Sequence, residues 1–494
     1  MNTPRTVVQL GGEGDGDYAP DPRRWRALAV CMLAGFITLL DVSIVNVALP
    51  SIRTALDASD GDIQWVLSGY ALTFGLVLVP AGRVGDARGR RMMFMLGVAL
   101  FTAASALCGA AQSAVWLVLA RLIQGVAGGL LTPQVSALIQ QLFRGRERAR
   151  AFGVFGSVIG ISTAVGPVLG GLIINVFGAE HGWRWIFFVN LPIGIAAFVL
   201  AARLLPGPEH EHRPCLRDLD PVGVMLLGAA VVLLMLPLVE ERQWHTAAKW
   251  LFVPASAALL ALFVAWEYRY RKRYTPLVDL DLFRERSYAC GSLVMLCYFA
   301  GFTSIFFVLT LYLQSGLGDS ALVAGLAVTP FALGSAASAA VGGHLVARYG
   351  HALVAAGLLT VICGLGVVVV LVGTVDPAVT EWAILGPLLI AGLGSGLVIA
   401  PNQALTLASV PPREAGSAGG VLQTGQRIGS ALGIAVVGST FFSRLASQAH
   451  PDWSGALRLG LVVSISFVVL ALAIAIGDLT QERNRTAADP DTKP

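Results

Sequence analysis

Charge is what this chain has least of. Only 13% of its 494 residues are Asp, Glu, Lys or Arg, and 55% are hydrophobic. Soluble domains carry about 25% charged residues, so an ordinary soluble fold is excluded and a polytopic membrane protein is indicated. Lysine is almost missing: three of the 34 basic residues are Lys and the rest are Arg. With abundant Ala and Gly, this hints at a GC-rich bacterial genome. The six cysteines form no CxxC pair and sit mostly in apolar runs. That removes a disulfide framework and a metal site and leaves small packing residues. The glycines of "GGEGDGDYAPDP" do not lie between a strand and a helix, which removes a phosphate-binding loop. No nucleotide-binding motif occurs and the seven His form no cluster, so no enzyme is expected.

What remains is long apolar runs. A spanning helix needs about 20 mostly apolar residues, and fourteen segments qualify: 27–49, 64–82, 92–110, 114–142, 151–176, 185–202, 220–239, 250–267, 288–313, 321–347, 352–373, 381–408, 416–442 and 459–477. Sorting the basic residues by loop tests the count. Twenty-six fall on the side of the N-terminus, six on the other, and Arg121 and Arg427 lie inside helices. The positive-inside rule reads this as both termini in the cytoplasm. In the tails 1–26 and 478–494, the stretches "GGEGDGDYAPDP" and "RNRTAADPDTKP" are polar, Gly- or Pro-rich, and read as disordered. The loop "PGPEHEHRPCLRDLDP", with His210 and His212, reads as a solvated linker rather than a metal site.

The chain repeats itself. "GRVGDARG" from Gly82 matches "GHLVARYG" from Gly343, and "RERARAFG" from Arg146 matches "REAGSAGG" from Arg413. In helices 4 and 12, Gly129, Pro133 and Gln134 answer to Gly396, Pro401 and Gln403. Residues 27–202 and 288–477 therefore form two homologous six-helix bundles, and 203–287 holds linkers with two inserted helices. Many secondary transporters are built from such repeats, with the binding site between them.

Three formal charges lie deep in the spans: Asp41, Arg121 and Arg427. Intramembrane charges are costly and mark proton or substrate paths. Asp41 lies about 12 Å below the outer end of helix 1 and Arg121 about 10 Å below that of helix 4, so the two are expected to face each other. Gln124 and Thr132 share the Arg121 face of helix 4 and are candidate contacts of Asp41, water or substrate. In helix 13, Gln423, Gln426, Arg427 and Ser430 form one polar face that must look inward, as a cavity wall or as bonds to neighbouring helices. Helix 5, with Gly166 followed by Pro167 among small residues, is bendable and suited to tight packing. In the loop after helix 2, Asp86 sits among arginines between two glycines and is expected to cap a neighbouring helix through its dipole.

Together these motifs resemble the major facilitator superfamily, within it the fourteen-helix drug/proton antiporters, over nearly all of 27–477. Gly82, Asp86, Gly89, Arg90 and Arg91 match the loop 2–3 signature. "RLIQGVAGG" matches the helix 4 signature, which implies a proton-coupling role for Arg121. Gly153, Gly166, Pro167, Gly170 and Gly171 match the antiporter signature, with Ser162 in place of one glycine. "LDVSIVNVALP", whose acid is Asp41, and "WRWIFFVNLPIG" resemble further segments of that group. The resemblance implies an all-α major facilitator fold of 6+2+6 helices and proton-coupled efflux of drugs, dyes or antibiotics by alternating access, with transport of one self-made metabolite, or import, as the alternatives. It implies no cofactor beyond the proton gradient. The expected partners are the bilayer of the bacterial cytoplasmic membrane, protons and a lipophilic small molecule. Nucleic acid is not expected, nothing calls for a periplasmic adaptor, and the protein is expected to be a monomer. Some relatives that export dications carry a second acid in helix 10. Here its only titratable group is His344, which favours a monovalent cation or a neutral or weakly acidic lipophile.

Overall fold

A computed structural model describes residues 21–207, 220–239, 247–447 and 451–488. The glycine-rich N-terminal tail, His210, His212, Cys215 and Arg242 lie outside the described residues. Among those described there is no strand. Fourteen helices are long and apolar enough to cross a membrane. They are α1 Arg24–Leu56, α2 Gly61–Arg88, α3 Arg90–Gly109, α4 Ala114–Leu142, α5 Gly145–Gly178, α6 Glu180–Leu204 and α7 Pro221–Leu238. Then follow α8 Ala248–Tyr270, α9 Arg286–Gly316, α10 Leu322–Tyr349, α11 His351–Thr374, α12 Leu385–Thr406, α13 Pro412–Ala446 and α14 Trp453–Gln481.

Most helices outrun their apolar segments, because a helix ends at a cap and not where hydropathy falls. Helix α1 continues through Pro50 to Leu56 and stops where Asp57 turns left-handed at φ 47°. Helices α5 and α6 follow one another almost without a loop, broken at Gly178, whose φ of 79° a side chain would resist. The last helix continues to Ala488, so the expectation of disorder for "RNRTAADPDTKP" is corrected over its first six residues. Its apolar stretch carries the backbone hydrogen-bond ladder on into the polar segment.

The two halves pack alike. In the first, α1 lies on α5 and α6, and α4 lies on α2 and α3. In the second, α9 lies on α13 and α14, and α12 on α10 and α11. The halves meet along two seams, α5 with α10 and α2 with α13. Small residues set the first seam. A methyl group on Gly153 would stand 2.9 Å from the Ala339 carbonyl, and one on Gly160 2.8 Å from that of Ala332. Pro167 touches Gly325 on the same seam. The inserted α7 lies along the second seam, where Val231, Met235 and Leu238 pack with Leu72 of α2 and Ala431 and Ala435 of α13.

Candidate proton-coupling site and seam latch

Asp41 and Arg121 meet. Arg121 Nη1 donates to Asp41 Oδ2 at 2.5 Å, and both side chains are buried. The helix itself runs seven residues beyond Leu49, so Asp41 lies about 22 Å from the end of α1.

An isolated ion pair would not repay desolvation, and its remaining lone pairs need donors. Two more residues supply them. Gln124 donates from Nε2 to Asp41 Oδ1 at 2.9 Å and to Ser105 Oγ at 2.8 Å, while its Oε1 accepts from Arg121 at 2.7 Å. Asn190 Nδ2 donates to Asp41 Oδ1 at 3.1 Å. Arg121 also reaches α2, donating from Nε to the Val66 carbonyl at 3.0 Å and lying 4.2 Å over the Tyr70 ring. The network thus joins α1, α2, α3, α4 and α6.

Apolar clusters close it on both sides. One contains Ile44, Val45, Val66, Leu117, Trp183 and Phe187. The other contains Ile37, Tyr70, Phe74, Phe101 and Ala127. Ser105, Asn190 and Tyr70 escaped the sequence reading. The only available signal was Asn190 inside "WRWIFFVNLPIG". Thr132 is not part of the network: it lies about three turns of α4 from Arg121 and donates to the Gly128 carbonyl of its own helix. Replacing Asn190 by Ala leaves one carboxylate oxygen short of a donor. The expected cost is about 1–3 kcal/mol, read as a drop of a few degrees in the thermal midpoint of the solubilised protein.

The polar face of α13 is divided. Gln423 Nε2 donates across the halves to Ser136 Oγ of α4 at 3.2 Å, and Gln403 of α12 donates to the same oxygen at 3.2 Å. Arg427 lies 4.2 Å over the Phe74 ring of α2. Ser430 bonds Thr303 of α9 at 2.8 Å. Gln426 is half-buried.

On the arginine-rich face, Asp86 caps α13, in the other half of the protein. Its Oδ1 accepts from the Gly416 N–H at 3.0 Å and its Oδ2 from the Ser417 N–H at 2.9 Å. Arg90 holds Asp86 Oδ1 at 3.0 Å, the Ala137 carbonyl at 3.1 Å and the Pro412 carbonyl. Gly82 backs onto Gly416 so closely that a methyl group there would collide with the Gly416 carbonyl. Gly89 bends the chain at φ 106°. Arg91 stays within its own half, on the Ala202 carbonyl at 2.5 Å.

The repeat that matches this segment has Ala347 in place of the acid, so it offers no carboxylate cap at that position. The other seam relies on the glycines of α5. There Gly166 and Gly170 face Ser43 and Ile44 of α1, and Gly171 faces Leu322 of α10. Ser162 is buried and satisfied, donating to the Val158 carbonyl at 2.7 Å. His344 is exposed, its ring nitrogen 3.0 Å from the Ala340 carbonyl of its own helix.

Two six-helix halves joined by glycine-lined seams, with buried charge in one half, define a multi-pass membrane transporter rather than an enzyme. The chain belongs to the major facilitator superfamily, whose family model matches residues 31–434. It is 39% identical to a probable actinorhodin transporter of Streptomyces coelicolor, over 98% of this chain and 83% of that protein. It is 31% identical to a tetracenomycin C resistance and export protein of Streptomyces glaucescens, over 88% of this chain and 79% of that one. Among solved structures, the human organic anion transporter MFSD10 superposes with a TM-score of 0.64 at 16% identity, over 92% of this chain and all of the other.

Proposed function

We propose that this protein exports a lipophilic small molecule of the antibiotic or dye type in exchange for protons, by alternating access. The arginine-rich face is then the cytoplasmic one, in keeping with the positive-inside rule. The observation that carries the reading is the Asp41–Arg121 pair, buried in a fold whose named relatives are antibiotic transporters and exporters.

The chemistry follows from the contacts. While Asp41 is ionised it holds Arg121, and Arg121 holds α2 through Val66 and Tyr70. A proton on Asp41 cancels the attraction and frees α2, which carries Asp86 and the latch to α13 at its far end. Proton occupancy in one half thereby biases the seam between halves. One proton moving through 100 mV supplies about 2.3 kcal/mol, and each pH unit about 1.4. A few kcal/mol sustains a substrate gradient of order 100-fold. The absence of an acid in α10 favours substrates with at most one positive charge.

Everted vesicles holding the protein should concentrate a fluorescent cationic dye or an aromatic antibiotic when their lumen is acidified, and lose it when a protonophore is added. Accumulation that ignores the protonophore would remove proton coupling. Transport in the opposite direction would make the protein an importer.

A further inference from the structure

The inserted hairpin of α7 and α8 carries two carboxylates that the exchange just described does not use. Asp220 caps α7. Its Oδ1 accepts from the Gly223 N–H at 3.0 Å and from the Trp266 indole N–H at 2.9 Å. Glu267 lies three residues before the end of α8, and its Oε1 accepts one long bond, from the Val278 N–H at 3.4 Å. Both side chains are fully buried, and Asp220 Oδ2 and Glu267 Oε2 have no hydrogen-bond partner. The two carboxyls flank one point. A methyl group on Gly223 would collide with Asp220 Oδ2 and stand 3.3 Å from Glu267 Oε1.

The surroundings favour a single negative charge here. Among the described residues, the charged group facing Glu267 besides Asp220 on α7 is Arg83 of α2. The loop after α8 offers the backbone N–H groups of Leu277 and Val278, and α13 offers the apolar Val421. Glu414, at the start of α13, is another acid near Arg83, so the arginine faces acids on two sides. Two ionised carboxylates in one dry pocket repel each other, and the repulsion ends when one takes a proton. Helix polarity selects which. Asp220 stands at the positive end of α7, where negative charge is favoured, and Glu267 at the negative end of α8.

The pocket is closed by the seam itself. Val79 of α2, Phe263 of α8 and Leu277 and Val278 pack in one cluster against Val421 of α13. Val79 follows Leu78, whose carbonyl lies against Gly420 of α13. Parting α2 from α13 strips this cover and admits water.

We propose that Glu267 is a second proton-binding site, occupied while the α2–α13 seam is closed and emptied when the seam opens. Because the closed form then binds one more proton than the open form, lowering the pH on that face stabilises the closed form. The inserted hairpin is thus a pH sensor for the gate. That the face is cytoplasmic rests on the reading above; the proton itself does not, and its test needs no substrate.

Infrared spectra of the purified full-length protein in lipid nanodiscs at neutral pH report protonated carboxyls through their C=O stretch. The amplitude of one acid should vanish in Glu267→Gln and persist in Asp41→Asn. Gly416→Val, which forces the seam apart, should remove the same band with Glu267 intact. Glu267→Asp should move the band rather than erase it, and serves if the Gln variant does not fold. An unchanged spectrum in Glu267→Gln or Glu267→Asp overturns the site. A band that survives in Gly416→Val overturns its link to the seam. Neither result depends on whether the protein exports or imports.

Discussion

Asp41→Asn is expected to abolish proton-driven accumulation while the protein still folds and inserts. The amide keeps one oxygen, enough to accept from Arg121, which donates to Oδ2 at 2.5 Å in the wild type, while its NH2 takes the place of Oδ1, where Gln124 donates at 2.9 Å. It cannot be charged, and it cannot exchange a proton. Breaking a buried pair by deleting one partner costs about 3–5 kcal/mol; here an acceptor remains, so the loss should be smaller. Transport is the sensitive quantity. A gradient of order 100-fold driven by a few kcal/mol should collapse to equal concentrations on both sides. Dye fluorescence and lumenal pH, followed together in everted vesicles, measure both halves of the exchange. Arg121→Gln should show the same loss of coupling. Coupled efflux at the wild-type level in Asp41→Asn would place the proton elsewhere.

Gly82→Val is expected to hold the α2–α13 seam open. The new side chain would meet the Gly416 carbonyl and stand, at its first carbon, 2.9 Å from the Ser417 nitrogen. Both are backbone atoms at a helix start, so the helices must part. Overpacking of this kind costs about 1–3 kcal/mol, all of it borne by the closed state. That shifts the balance between closed and open forms by roughly 5- to 150-fold. Ser136→Cys, in a background with the native cysteines replaced, reports the change. Buried between halves beside Gln403 and Gln423, it should resist a water-soluble maleimide in the parent and react rapidly when Gly82→Val is added. Export should slow at least tenfold, because a transporter that cannot close one side cannot complete its cycle. Continued protection of the cysteine would mean that α2 and α13 accommodate the side chain without separating.

How much of this was legible beforehand differs by residue. Asp41 and Arg121 stood out because charge is rare in these spans and a count isolates it. Gln124 followed from helical spacing, three residues beyond Arg121 on one face. Ser105, Asn190 and Tyr70 did not stand out. A single hydroxyl or amide in an apolar helix reads the same whether it meets a neighbour's backbone or a carboxylate. Asp86 was legible as a cap, but its partners are the backbone N–H groups of Gly416 and Ser417, 330 residues away. Backbone donors carry no sequence signature, so which half it would clasp could not be read. Thr132 shows the reverse error: a shared face places residues on one stripe, but not at one depth.

The sequence alone determined the membrane, the number of spans, the repeat and the residues that bear charge in hydrocarbon. Each follows from one-dimensional quantities: apolar length set by the bilayer, arginine distribution between loops, and spacing along a helix. Only the tertiary structure decided that Asp41 has three side-chain donors drawn from two other helices, that Asp86 binds the opposite half, and that the inserted hairpin lies along a seam with two buried acids. Those are contacts between helices far apart in the chain. They are set by which glycines let backbones approach and by where a buried polar atom finds its partner, and neither is written in the order of the residues.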